Sequence, residues 1–274
     1  MRHMIPHPTV GPWMLASVAT QDEARAAFHS NVDILDLKDP AQGALGAVAP
    51  GIAAAVVAEF RGRLPVSATV GDLLHPEEIR AACRHLAEIG VDFVKVGIFA
   101  PARLAESLPI LAAEAARGTR LVAVLFPDLG YGADPENIAG AGPIAQIGAD
   151  AAIAHILESL PRLAAAGIHG AMLDTATKAG GSLRQRLPEA ALAAFVRHAH
   201  GLGLFTGLAG GLRLEDVAPL LALGPDYLGF RGALCAGQER TQALDPARLA
   251  RVRAAIPRLA GPPQPVASRP AMAP

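Results

Sequence analysis

The feature that most constrains this chain is a rhythm. Eight short apolar runs alternate with Ala-rich amphipathic stretches between Trp13 and Ile256. The runs predict strands over Trp13–Val18, Asp33–Lys38, Pro65–Val70, Phe93–Val96, Leu121–Phe126, Gly170–Asp174, Leu204–Ala209 and Tyr227–Phe230. The intervening segments predict helices over Thr20–His29, Gly51–Arg61, Pro76–Ile89, Arg103–Ala116, Ile153–Ala166, Pro188–Gly201, Leu214–Leu223 and Pro246–Ile256. Thr20-Gln21-Asp22-Glu23 reads as a capping box. Glycines at 90, 167 and 224 follow helix ends and precede strands, where a left-handed residue turns the chain back toward a sheet. Eight βα units in about 250 residues fit an α/β (β/α)8 TIM barrel of one domain better than an open doubly wound sheet.

Flanking this pattern, residues 1–12 read as a flexible N-terminal arm and 259–274 as a disordered C-terminal tail, leaving 13–258 as the barrel. The Gly- and Pro-rich segment 127–148 reads either as a lid or as a plain insertion. A net charge of -1 offers no attraction for nucleic acid or a membrane surface. Two cysteines, Cys83 and Cys235, without metal or redox spacing, suit a reducing compartment. Pro6, Pro8 and Pro12 interrupt the N-terminus and no long apolar run follows, so the expected location is the cytoplasm. Whether copies associate into a homo-oligomer stays open.

The chain has only three lysines, Lys38, Lys95 and Lys178, among 24 lysines and arginines. Each lies at or just past the end of a predicted even-numbered strand, where a barrel of this kind builds its active site. Lysine differs from arginine in being able to lose its proton when buried or crowded by other cations. A neutral amine can attack a carbonyl to form an imine, and a second can act as base. Asp36, two residues before Lys38 on one strand face, can orient that amine, and Asp174 can serve Lys178. The bland reading pairs the lysines structurally with Asp36, Asp92 and Asp174. The functional one is aldol-type chemistry on a small carbonyl compound.

The ends of strands seven and eight suggest a phosphate cradle: Gly210, Gly211, Arg231 and Gly232 stand where loops of this fold commonly hold that anion. Ser67 and Thr69, inward on strand three, either donate to a substrate oxygen or are hydrogen-bonded core residues. His198 and His200 read as exposed, and His75, His85, His155 and His169 show no metal-ligand spacing, so no metal and no cofactor are expected.

Three blocks together resemble one family: Asp36-Leu37-Lys38-Asp39-Pro40-Ala41-Gln42-Gly43-Ala44-Leu45-Gly46-Ala47, Val66-Ser67-Ala68-Thr69-Val70-Gly71-Asp72 and Met172-Leu173-Asp174-Thr175-Ala176-Thr177-Lys178. They are similar to the signature blocks of (5-formylfuran-3-yl)methyl phosphate synthases, and Phe93–Gly97 and Gly229–Ala233 fit as well. The resemblance implies a barrel lyase that joins two glyceraldehyde 3-phosphates, loses one phosphate and two waters, and makes the furan precursor of methanofuran or its methylotroph counterpart. It implies Lys38 as the imine-forming residue and Lys95 as proton acceptor, with Asp36, Asp174 and Lys178 completing the group. Lys178 is the alternative site of the covalent bond. Ala44 stands where some members carry Ser, so a hydroxyl role there is lost. The alternatives are a class I aldolase on another phosphorylated sugar and a non-catalytic phosphosugar-binding barrel.

Overall fold

The computed structural model describes residues 12–99, 104–129, 149–177 and 181–257. Lys178, residues 130–148, the 259–274 tail and all but the last residue of the 1–12 arm lie outside them.

Eight parallel strands form the sheet: β1 (Trp13–Val18), β2 (Ile34–Leu37), β3 (Val66–Thr69), β4 (Phe93–Ile98), β5 (Leu121–Leu125), β6 (Gly170–Leu173), β7 (Phe205–Leu208) and β8 (Tyr227–Phe230). They pair in chain order and β8 returns to β1, closing the barrel. Around it lie α1 (Gln21–His29), α2 (Pro50–Phe60), α3 (Pro76–Ile89), α4 (Leu104–Ala116), α5 (Ala149–Ala165), α6 (Leu183–Arg186), α7 (Glu189–Gly201), α8 (Leu214–Leu221) and α9 (Pro246–Ala255). The single-domain (β/α)8 expectation holds. Two details differ. α5 starts at Ala149 rather than Ile153, because Ala-rich residues propagate a helix beyond its apolar stripe. The one-turn α6 was not foreseen, being too short to show periodicity.

Helix punctuation follows local chemistry. Gly90 closes α3 in the left-handed region at φ 92°, and Gly167 and Gly224 take similar values after α5 and α8. Only half of the predicted capping box forms. Thr20 Oγ1 accepts the Glu23 amide at 3.2 Å, but the Glu23 carboxylate accepts the Ala19 N–H at 2.8 Å instead of that of Thr20. Glu23 is drawn there by an ion pair with Arg231, far along the chain.

Strand alternation divides the apolar residues into two cores. Outward side chains meet the helices in a shell that includes Val57, Leu86, Leu111 and Phe195. Inward ones, among them Leu15, Ile34, Phe93, Val122, Met172 and Tyr227, fill the lumen. The lower lumen is aromatic: the Phe205 ring centroid lies 5.4 Å from Trp13, 5.1 Å from Tyr227 and 6.1 Å from Phe93. Gly207 makes room for this layer, since a Cβ there would fall 2.1 Å from Tyr227 Cζ. This packing plugs the lower end against water, so polar groups stacked above it are held dry.

His169 sits on that floor, 5.4 Å from the Phe93 ring. Burial, with the nearby Arg120 charge, lowers its pKa from 6.5. The folded protein therefore binds fewer protons there than the unfolded chain between the lowered value and 6.5, and stability rises with pH across that window. Denaturant unfolding between pH 5 and 7.5 is expected to show stability falling as pH drops below 6.5, with a smaller fall in His169→Gln. Identical slopes in the two proteins would refute this.

Candidate active site

Strand register builds a charged layer directly above the aromatic floor. Ser17 pairs in register with Asp36, Asp36 with Ser67, and Thr69 with Lys95. Asp36 and Lys95 are almost wholly inaccessible, at 0% and 2% exposure. Lys95 Nζ lies 2.7 Å from Asp36 Oδ1. Ser67 donates to the same oxygen at 2.7 Å, and Ser17 donates to Oδ2 at 2.8 Å. Three donors thus hold one carboxylate in place, and the carboxylate holds the amine. Burial lowers the Lys95 pKa from 10.5, and the charge of nearby Lys38 lowers it further, while Asp36 and Asp174 oppose the shift.

The second pair is Lys38 with Asp174, Nζ to Oδ2, at 3.2 Å. Both side chains are buried. The pairing differs from the sequence expectation, in which Asp36 orients Lys38. Asp36 reaches across to β4 and Lys38 across to the end of β6, so the two ion pairs cross the mouth of the barrel. Asp92 takes neither Lys38 nor Lys95 and accepts the Val66 N–H at 2.9 Å.

Loops brace both ends of the Lys38–Asp174 pair. After Lys38, Asp39 caps the short turn Pro40–Gln42 through the Ala41 N–H, and its own N–H donates to Gly46 O at 2.8 Å. Gly46 is needed for that closure, because a Cβ would fall 2.3 Å from Asp39 O. Asp72 fastens the loop by accepting the Ala44 and Leu45 amides at 2.7 and 2.6 Å. At the other end of that pair, Asp174 Oδ1 accepts the Thr175 N–H at 2.7 Å. Asp128, just past β5, accepts the Ala176 and Thr177 amides at 2.9 and 2.8 Å, and Arg186 Nη1 lies 3.3 Å from it. This clamp holds the backbone up to the residue before Lys178.

The expected phosphate residues divide. Gly210 and Gly211 have φ of 102° and 59° and lie against Thr175 and Gly181; their N–H groups donate to no described residue, as an anion cradle requires. Gly232 opens the short turn Gly232–Leu234 after β8. Ser67 and Thr69 are spent elsewhere: Ser67 on Asp36, and the Thr69 hydroxyl within 3.3 Å of Leu37 O and 3.1 Å of Gly46 O. Arg231 departs from its expected role. Its guanidinium grips Glu23 at 2.6 and 3.1 Å and donates to the carbonyls of Ser17, Arg240 and Gln242. Those bonds commit Nε and both terminal nitrogens to tying the β8 loop to β1 and α1.

The sequence profile of 4-HFC-P synthases matches residues 14–253. The chain belongs to the 4-HFC-P synthase family. A Methylorubrum extorquens protein provisionally named (5-formylfuran-3-yl)methyl phosphate synthase is 40% identical over 239 residues, 87% of this chain and 89% of its own. The synthases of that name from Methanosarcina mazei and Methanopyrus kandleri are 33% and 34% identical, covering 83% and 84% of this chain and 92% of each of theirs. Among solved structures, phosphoribosyl anthranilate isomerase from Thermus thermophilus superposes with a TM-score of 0.55 at 15% identity, covering 89% of this chain and 97% of that one. An aldolase, QR15, does so at 0.54 and 11% identity, covering 81% and 91%. Those two share the barrel alone.

Several residues of this 4-HFC-P synthase family member carry no sequence signal. Ser17 looked like an ordinary β1 residue, yet it completes the Asp36 cradle. Tyr227, in the aromatic floor, is buried, and that burial, with Asp36 as the leading charge, raises its pKa well above 10.0. The cysteines are both free and buried. Burial pushes Cys83 up to about 12 and also raises Cys235, so neither is an activated thiol. His200 is not the exposed residue expected, for its Nε2 lies 3.0 Å from Asp226 Oδ2 and 2.8 Å from Thr206 Oγ1. Among the described residues no cluster could hold a metal and no helix is long and apolar enough to cross a membrane.

Proposed function

We propose that the protein condenses two molecules of glyceraldehyde 3-phosphate into (5-formylfuran-3-yl)methyl phosphate, releasing one phosphate and two waters. The observation that carries this reading is the pair of buried amine–carboxylate contacts, Lys38–Asp174 and Lys95–Asp36, in one lumen of a family member. The atoms balance, since two three-carbon units supply the six carbons and one of the two phosphates stays. In the product one unit supplies the aldehyde and has lost its phosphate, while the other keeps a phosphorylated methylene on a branch.

Lys38 attacks the aldehyde of the first triose, and loss of water gives an imine whose neighbouring C2–H is acidic. Asp174, touching the Lys38 amine, moves protons during that dehydration. Lys95, kept accessible in its neutral form by burial, removes the C2 proton. The electron pair then expels phosphate from C3 and leaves a nucleophilic carbon there. That carbon attacks C2 of the second triose, which must first become a ketone by moving a proton from C2 to C1. Ring closure and loss of two waters give the furan, and hydrolysis of the imine returns the water lost in forming it and frees Lys38. Gly210, Gly211 and Gly232 cradle a phosphate through backbone N–H groups.

Incubation with glyceraldehyde 3-phosphate is expected to release inorganic phosphate and form an ultraviolet-absorbing six-carbon aldehyde phosphate, identified by mass. Borohydride added during turnover is expected to trap an adduct on Lys38. An adduct on Lys178 would transfer the covalent role to that residue. An enzyme that turns over yet resists borohydride would defeat the imine mechanism.

A further inference from the structure

We infer that Arg240, in the loop after β8, is the residue that recognises a substrate phosphate. This rests on the reading that the substrate is a phosphorylated triose, and it assigns the side chain that grips the phosphate.

The argument starts from the two arginines of this loop. Arg231 has its guanidinium committed to Glu23 and three carbonyls. One of those carbonyls is that of Arg240, 2.8 Å from Arg231 Nε. Arg231 therefore fixes the backbone from which Arg240 projects. The Arg240 side chain turns toward the β2 loop, where Nη2 donates to Gly43 O at 2.6 Å. Gly43 follows the short turn after Lys38, so this bond joins the β8 loop to the β2 loop, whose strands both flank β1. It uses one guanidinium donor, and Arg240 makes no ion pair with any described carboxylate.

The surroundings fit an anion site. Burial lowers the Arg240 pKa from 12.5, and among the carboxylates that act back on its charge Asp174 is the strongest, ahead of Asp72 and Asp39. Asp174 is the partner of Lys38. A half-buried guanidinium, positioned through its own carbonyl, anchored to the loop that follows Lys38 and left with donors to spare, suits bidentate recognition of phosphate. Gly43 packs against Asp72, whose carboxylate accepts the amides of the next two residues, Ala44 and Leu45, so the bond to Arg240 ends on a braced loop.

The test uses the whole chain and two probes. Inorganic phosphate is titrated by calorimetry into the wild type, Arg240→Lys and Arg240→Gln. Affinity is expected to fall about 10- to 100-fold in Arg240→Gln and less in Arg240→Lys, which keeps the charge but not the planar fork. With glyceraldehyde 3-phosphate, KM is expected to rise by a similar factor with a smaller change in kcat. Borohydride labelling by unphosphorylated glyceraldehyde is expected to stay unchanged, which a collapsed loop would not allow. Equal phosphate affinity in all three proteins overturns the assignment, as does a loss of glyceraldehyde labelling that matches the loss of phosphate binding. Phosphate binding that depends on Arg240 in a protein that leaves glyceraldehyde 3-phosphate unchanged sustains the assignment and refutes the proposed reaction instead.

Discussion

Replacing Lys95 by methionine is expected to lower turnover about 10²–10⁴-fold, the usual worth of a positioned base. Arginine at the same position keeps the charge beside Asp36 but has no proton to give up at working pH, so it is expected to be equally inactive. Near-normal turnover by either variant would remove Lys95 from the mechanism. Stability separates this role from a structural one. Methionine leaves Asp36 buried with only Ser17 and Ser67 as donors, and breaking a buried ion pair typically costs about 3–5 kcal/mol. The double variant Asp36→Asn, Lys95→Met removes the stranded charge and is expected to recover most of that stability but none of the activity. In the wild type, the rate should rise with pH along a limb whose midpoint lies below 10.5, because burial disfavours the ammonium form of Lys95. A limb at or above 10.5 would mean that the titrating group is solvated.

The second large effect is expected from Gly210→Ala. The φ of 102° is strained for any residue with a side chain, and the new Cβ would lie 2.9 Å from the Thr175 nitrogen. Strain and overpacking each cost about 1–3 kcal/mol. Thr175 cannot retreat freely, since its N–H is bound to Asp174 at 2.7 Å, and Asp174 holds Lys38. The variant should therefore unfold at lower denaturant and show weaker borohydride labelling of Lys38. Thermal or denaturant unfolding indistinguishable from wild type would show that the β6 and β7 loops are not tightly coupled.

The link between floor and charged layer explains why such small changes matter. Asp36 and Lys95 stand above Phe205, Tyr227 and Phe93, which block water from below. In that dry space a carboxylate needs several donors, and an amine gives up its proton more readily. The residues that hold the pair are therefore as much a part of the chemistry as the pair itself.

Much of this was legible in the amino-acid order. Strand and helix order follows from local periodicity, and β1, β8 and α3 were placed to the residue. The rarity of lysine in an arginine-rich chain singled out Lys38 and Lys95, and the three blocks around them pointed to the family. Local pattern could not say which carboxylate meets which amine. Asp36 lies just before Lys38 in the chain, yet the partner of Lys38 is 136 residues away. Nor could it separate Arg231 from Arg240, because what occupies Arg231 is Glu23, 208 residues earlier. The sequence by itself determined the elements, their order and the reactive residue types, because those depend on near neighbours. Only the closed barrel decided the pairings, because a side chain's charge and its free donors depend on whatever the other strands bring within about 3 Å.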